Sequence, residues 1–407
     1  MRLRYFLSYP TSPNDYSPEV EITDYIIEQS SSSITQTLSN NEYDVGTLKF
    51  SKFEAKLINS DSLFSEAENQ RSIFTYRREL SILRITWEAN EHGLSCGSVP
   101  CGYAYLSKPV EIYRGLLDDK SSKFDDKSRV QTFVFLGMES IIGKVQANFS
   151  SLIPGQDVSE AIYTLLNQSQ ITKYLTVDPL NINVDYDFPV DSFDDAEDKT
   201  VLEVVEELLY LSNSVLYVQG TTIFTKSQDI GLDSVATFYS RTSTSGIENI
   251  IDMVNYTTGE NRTFNQWKWE DTVIKLFFAD SIERNGFKPK EISSNYVTNP
   301  TTQNNILSGL LSEYGFPKIE LEIITPMYTQ FVKNVFLLDK VNLDIPIELS
   351  PPEDGSLPSI YGQAKYGTAR YVGSNSSIVI SANRNWKVMS REISLKNRNL
   401  KFRLREE

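Results

Sequence analysis

The sequence predicts an α+β protein that is predominantly β: two small β-barrel or sandwich domains, an inserted helix–helix–hairpin unit and a further helical insertion. Three observations predict it. Short runs near both ends alternate apolar and polar residues, as in Leu80-Ser81-Ile82-Leu83-Arg84-Ile85-Thr86-Trp87, which is the period of a half-buried strand. The aromatic content is high at 12%, with Tyr and Phe dominating, and such side chains suit pleated, half-buried surfaces. Apolar residues at helical spacing occur in only a few segments. At 407 residues the chain is too long for one ordinary domain.

Residues 1–150 read as the first β domain. Residues 1–10 have a charge pair but no adequate apolar core or small-residue cleavage site, so they read as a first strand rather than a signal peptide. Alternation follows at 20–23, 47–50, 80–87 and 130–135, separated by turn clusters at 30–33, 40–41 and 118–127. Pro154-Gly155 marks a boundary, after which residues 151–234 read as the helix–helix–hairpin unit. Its first helix covers 158–167, with Ile162, Leu165 and Leu166 on one face. Its second starts at Thr200, with Glu203 three residues on as in a capping box, and runs to Leu211. Strands at 215–219 and 222–226 then turn about Gly220, and an acidic stretch, 185–198, separates the helices.

Residues 235–407 return to strands at 250–256, 266–269 and 273–278 and form the second β domain. Its helical insertion lies around 300–316: Ile306, Leu307, Leu310, Leu311 and Tyr314 share one face, and Gly315 and Pro317 end the helix. An alternating strand ending at Pro326 comes next, then a second at 335–343 with Asp339 at its centre. A loop rich in Pro, Gly and Ser, 349–359, precedes last strands at 377–381, 386–393 and 400–404. No repeat of fixed period is present.

The net charge is -15, without the dense cationic footprint that duplex binding demands. Acidity also opposes anionic membrane surfaces, and no run of apolar residues is long enough to span a bilayer. The charge reverses locally at the C-terminal end, where Arg384, Lys387, Arg391, Lys396, Arg398, Lys401, Arg403 and Arg405 face a single acid, Glu392. This stretch is either a solvated strand face or a docking surface for an acidic neighbour or another copy of this chain. Cys96 and Cys101 sit in a hairpin-tip sequence with only His92 nearby, too few ligands for a zinc site. A small disulfide loop is geometrically open to them, while synthesis in a cytoplasm favours free thiols.

Chemical motifs are mostly lacking. The one histidine, His92, has no Gly-x-Ser-x-Gly element to serve. The run from Gly137 to Gly143-Lys144 resembles a phosphate loop, but it has five residues between the glycines and Val145 where Ser or Thr must hold magnesium. Acids between Asp187 and Asp198 could offer oxygens to calcium but lack its loop spacing and glycine. They read instead as a solvated loop whose charge suits the following helix N-terminus. Trp267 and Trp269 lie on one strand face, as core packing or as a sugar-stacking platform. No catalytic residue, cofactor or metal is expected, and the chain is expected not to be an enzyme.

The order of elements resembles the tail-hub (baseplate hub) family of tailed bacteriophages, a fold also found in the hubs of contractile injection systems. The resemblance is carried by Ile22-Thr23-Asp24-Tyr25-Ile26 before Asn41-Glu42-Tyr43-Asp44-Val45-Gly46-Thr47-Leu48, by Tyr113-Arg114-Gly115-Leu116-Leu117, and by Leu202-Glu203-Val204-Val205 leading into Leu216-Tyr217-Val218-Gln219-Gly220. Asp280-Ser281-Ile282-Glu283-Arg284-Asn285-Gly286, the helix-to-strand passage through Pro326, and Asn385-Trp386-Lys387-Val388 complete it. The resemblance implies a structural virion protein, made in the host cytoplasm and placed at the tail tip or baseplate. It implies a homotrimer whose two β domains per copy form a pseudo-sixfold face on the tail tube or distal tail protein. The other end would hold a central spike or tip, and DNA would pass through the channel without specific binding. No lysozyme, peptidase or receptor-binding extension is expected. A sixfold distal-tail ring or fibre adaptor, and more distantly a carbohydrate-binding β protein, are the alternatives.

Overall fold

The computed structural model describes residues 2–27, 33–38, 50–65, 70–76, 78–88, 109–227, 233–239, 250, 252–257, 262–344, 347–349, 378–380 and 385–407. The expectations for residues 41–48, His92, Cys96, Cys101, Arg384 and most of the 349–359 loop lie outside them. The protein is mostly β, with one large curled sheet and several helices. Among the described residues fourteen strands form that sheet. Its path runs Asp252–Thr257, Glu320–Pro326, Asn399–Glu406, Asn385–Ser394, Ile34–Thr37, Lys52–Ile58, Val130–Gly137, Val110–Leu117, Ile82–Glu88, Arg2–Ser8, Val20–Glu21. Neighbours along this path are antiparallel; Ala236–Tyr239 beside Lys340–Asp344 is a parallel pair. The short strand Ile34–Thr37 joins the two β regions, pairing with Asn385–Ser394 on one side and Lys52–Ile58 on the other.

Two apolar cores form, because a sheet with one apolar face and an amphipathic helix must each bury that face. One lies against the sheet and draws on both β regions, with Tyr5, Phe53, Trp87, Phe133, Phe238, Trp386 and Phe402 buried. Edge-to-face aromatic contacts occur in its N-terminal part, with Phe133 6.4 Å from Phe64 and 6.1 Å from Phe135 between ring centres. The other core unites the helix–helix–hairpin unit with residues between Trp267 and Tyr314. Each large side chain so buried contributes about 1.5–3 kcal/mol.

The helices start and stop for local reasons. Val158–Leu166 begins where Asp187 accepts from the Ser159 N–H and hydroxyl. Val201–Leu211 carries the expected capping box, with reciprocal bonds between Thr200 and Glu203. Pro300–Tyr314 begins at Asn299, which accepts from the Thr301 N–H, with Pro at its first position. It ends at Gly315, where a Cβ would stand 2.4 Å from both the Leu311 carbonyl and the Phe278 ring. Only glycine fits that approach. The segment after Arg262 adds a three-stranded sheet, Lys275–Phe277, Gln266–Trp269 and Pro289–Ile292, under this helix.

Two expected strands are shorter or displaced. Residues 335–343 are not one strand: a helix, Thr329–Asn334, is followed by a turn with Leu338 at φ 61° and then a strand, Lys340–Asp344. The Asp339 carboxylate accepts from the Phe336 N–H and so closes the turn instead of sitting mid-strand. The expected strand over 20–23 ends at Glu21, since Thr23–Tyr25 forms a 3-10 turn and the Thr23 hydroxyl accepts from the Tyr5 N–H.

Candidate functional site

A cavity of about 120 Å³ lies where the three sequence regions meet. The N-terminal region supplies Gln36, Ser51, residues 110–114 and Glu139; the hairpin supplies 218–220; the C-terminal region supplies Val332, Lys333, Phe336 and Arg391. Sheet geometry brings these walls together. Gln36 and Arg391 are cross-strand partners, and Gly220, at φ 62°, turns the hairpin tip toward Glu111. A register shift between Val388 and Ser390 decides which way Arg391 points. The extra residue, Met389, packs into the helical core while Val388 stays in the sheet core. Arg391 thereby falls on the buried face.

Arg391 is buried. Its Nη2 donates to the Val332 carbonyl at 2.7 Å, and its guanidinium lies 5.1 Å from the centre of the Phe336 ring. Burial pulls its pKa down to about 10, against the opposing pull of Asp339. Its Nε has no hydrogen-bond partner among the described residues. Asp339 itself is paired with Lys226 at 2.5 Å. On another wall Glu139 is buried, with its Oε1 accepting from the Ser51 N–H at 2.6 Å and hydroxyl at 2.8 Å. Burial raises its pKa, and the Ser51 bonds only partly offset that rise. Glu111 and Arg114 form a two-pronged pair along their own strand.

A second charged group sits beneath the C-terminal strands. Glu313, at the end of the Pro300–Tyr314 helix, meets Lys318 at 2.9 Å, Arg405 at 3.6 Å and Lys387 at 3.9 Å. Burial pushes its pKa up, but Arg405, Lys387 and Lys318 outweigh that push and hold it below the usual carboxylate range. Lys387 and Arg405 are neighbours across two strands. They extend in a row to Glu320, which Arg262 meets at 3.4 Å and Arg403 at 3.9 Å.

The basic C-terminal stretch is therefore divided. Lys387, Arg391 and Arg405 face inward and are held within this chain. Lys401 pairs with Glu322 at 3.1 Å and Arg403 with Glu320. Lys396 is exposed in the turn between the last two strands, with Arg398 half-buried beside it at φ 55°. By sequence alone the stretch reads as one face. Its alternation is interrupted by the register shift at Met389, which no local pattern marks.

The other candidates resolve into packing. Trp267 and Trp269 are buried, and the Trp267 indole donates to the Phe264 carbonyl, so they form no sugar platform. Acids of the 185–198 stretch tie segments together: Asp191 accepts from the Thr298 N–H and hydroxyl and the Asn299 N–H, at the start of the Pro300–Tyr314 helix. Among the described residues no cluster of His, Cys, Asp or Glu is arranged to hold a metal, and no helix is long and apolar enough to cross a membrane. The phosphate-loop lookalike is a 3-10 helix, Met138–Lys144, with Glu139 turned inward. Glu139 was missed as a site residue, although a lone acid in Phe133-Val134-Phe135-Leu136-Gly137-Met138-Glu139-Ser140-Ile141-Ile142 is the signal that could have found it.

The architecture has known counterparts. A tail protein from Neisseria meningitidis MC58 superposes with a TM-score of 0.57 at 12% identity, covering 100% of this chain and 96% of that one. The prophage tail protein gp18 from Listeria monocytogenes EGD-e gives 0.53 at 9%, covering 98% and 94%. The 43 kDa tail protein of prophage MuSo2 from Shewanella oneidensis gives 0.54 at 8%, covering 99% and 98%. The fold is that of phage and prophage tail proteins. No protein-family model matches the sequence, and no curated protein matches it either.

Proposed function

We propose that this chain is a structural phage tail component, and within the tail the trimeric hub that joins the tail tube to the central spike or tip. The observation that carries the reading is the end-to-end likeness to tail proteins, which takes in the helix–helix–hairpin unit as well as the sheet: 100% of this chain against 96% of the Neisseria protein. A hub needs stable β faces and partner anchors rather than an active site. The two β regions, joined through Ile34–Thr37, would supply the pair of faces that three copies arrange as a pseudo-sixfold ring. The exposed Lys396 is then the member of the basic stretch turned outward, where an acidic neighbour could meet it. The net charge of -15 suits a channel that repels passing DNA; a channel lined with Lys and Arg would exclude that role.

The test is three-dimensional electron-microscope classification of the purified protein, with the solution mass from light scattering. A three-fold ring with an open channel is expected. A six-fold ring would move the assignment to a distal-tail component. A monomer that binds glycans would argue against a tail role altogether.

A further inference from the structure

The cavity between the two β regions is built like a binding site. At about 120 Å³ it exceeds the roughly 10–15 Å³ that one water needs on this measure. Its walls are charged, and not all of the charges are balanced by direct pairing. Asp339, which does not line the space, is paired with Lys226 at 2.5 Å, so Arg391 brings its positive charge to the cavity without an ion-pair partner of its own among the described residues. Arg391 keeps a buried Nε without a partner among the described residues, and an unmet buried donor costs about 1–3 kcal/mol. Glu111 and Arg114 neutralise each other on the same strand. Across the space Glu139 is committed through Oε1 to Ser51. Lys333 stands exposed at the cavity's margin, where an entering anion would meet it first.

We propose that this cavity binds a single carboxylate group, held by Arg391 and met on the far wall by the carboxyl of Glu139. A guanidinium presents donors in a fork that matches a carboxylate. One negative charge balances Arg391, whereas a dianion would place a second charge beside Glu139. Burial favours the protonated form of Glu139, which can donate to the second carboxylate oxygen and share its proton. The carboxylate, seated between Arg391 from one β region and Glu139 from the other, would tie the two together. Binding to the folded form alone would raise stability by mass action. The proposal does not rest on the tail reading; a monomer and a ring can both be tested.

The experiment is thermal unfolding of the full chain in sodium acetate against sodium chloride, at matched pH and ionic strength. Acetate is expected to raise Tm saturably, and inorganic phosphate to raise it less. Arg391→Met should lose the acetate response, and so should Lys333→Ala in part, a substitution on an exposed side chain that leaves the fold intact. Glu139→Gln, which keeps a donor at that position, should retain the response. No saturable rise with acetate, an equal rise in Arg391→Met, a larger rise with phosphate, or loss of the response in Glu139→Gln would each overturn the proposal.

Discussion

Glu139 and Glu313 are both enclosed by the fold, yet their carboxyl groups are driven in opposite directions. Glu313 has three cations around it, and their attraction overrides the burial that raises its pKa. Among the described residues Glu139 has only Ser51 as a hydrogen-bond donor from another residue, and burial wins. The difference teaches that enclosure alone does not define what a buried acid does. An acid ringed by cations fastens the last two strands to the Pro300–Tyr314 helix. An acid without them lines a space that something else can fill.

The largest effect should come from breaking the paired site. Glu313→Gln leaves Lys318, Lys387 and Arg405 without their carboxylate and should cost about 3–5 kcal/mol, read by denaturant unfolding. A loss well below that would mean the cations are solvated and the contrast is false. The pH dependence carries the same sign. Glu313 has a folded pKa below its unfolded value, so its stabilisation is present above the ordinary glutamate pKa and fades as pH falls through the folded one. Glu313→Gln should flatten that acid limb.

Arg391→Met should cost less, about 1–3 kcal/mol, because Asp339 keeps Lys226 while the Val332 carbonyl loses its donor. Thr200→Ala, which removes the capping box from a helix whose Glu203 is exposed, should cost about 1 kcal/mol by the same assay. Glu139→Gln gives the smallest change, and with the opposite sign. Its folded pKa is raised, so its contribution is full below the ordinary glutamate pKa and is lost as pH rises through the folded value. The variant should therefore be slightly more stable than the native chain at neutral pH and equal to it in acid. A destabilised variant at neutral pH would show that Glu139 has a cationic partner after all.

Much of the fold was legible because it follows local rules. The capping box at Thr200, the hairpin about Gly220 and the strand Gln266–Trp269 stand where alternation and capping put them. The order of elements also resembled tail-hub proteins, and the fold matches tail proteins. What could not be read arises from contacts distant in sequence. The pairing of Ile34–Thr37 with Asn385–Ser394 joins segments some three hundred and fifty residues apart, and no periodicity encodes it. Asp339 read as mid-strand because Val335 and Leu343 flank it in an apolar run, whereas its bonds to Phe336 and Lys226 make it the closer of a turn. The division of the basic stretch into buried and exposed members depends on a single register shift at Met389. The cavity depends on all three.

The proposed hub role is most directly tested by mixing the purified chain with phage tail tubes and locating it by electron microscopy. Density with three-fold symmetry capping one end of each tube is expected. Failure to bind tubes, or binding along their whole length, would contradict it.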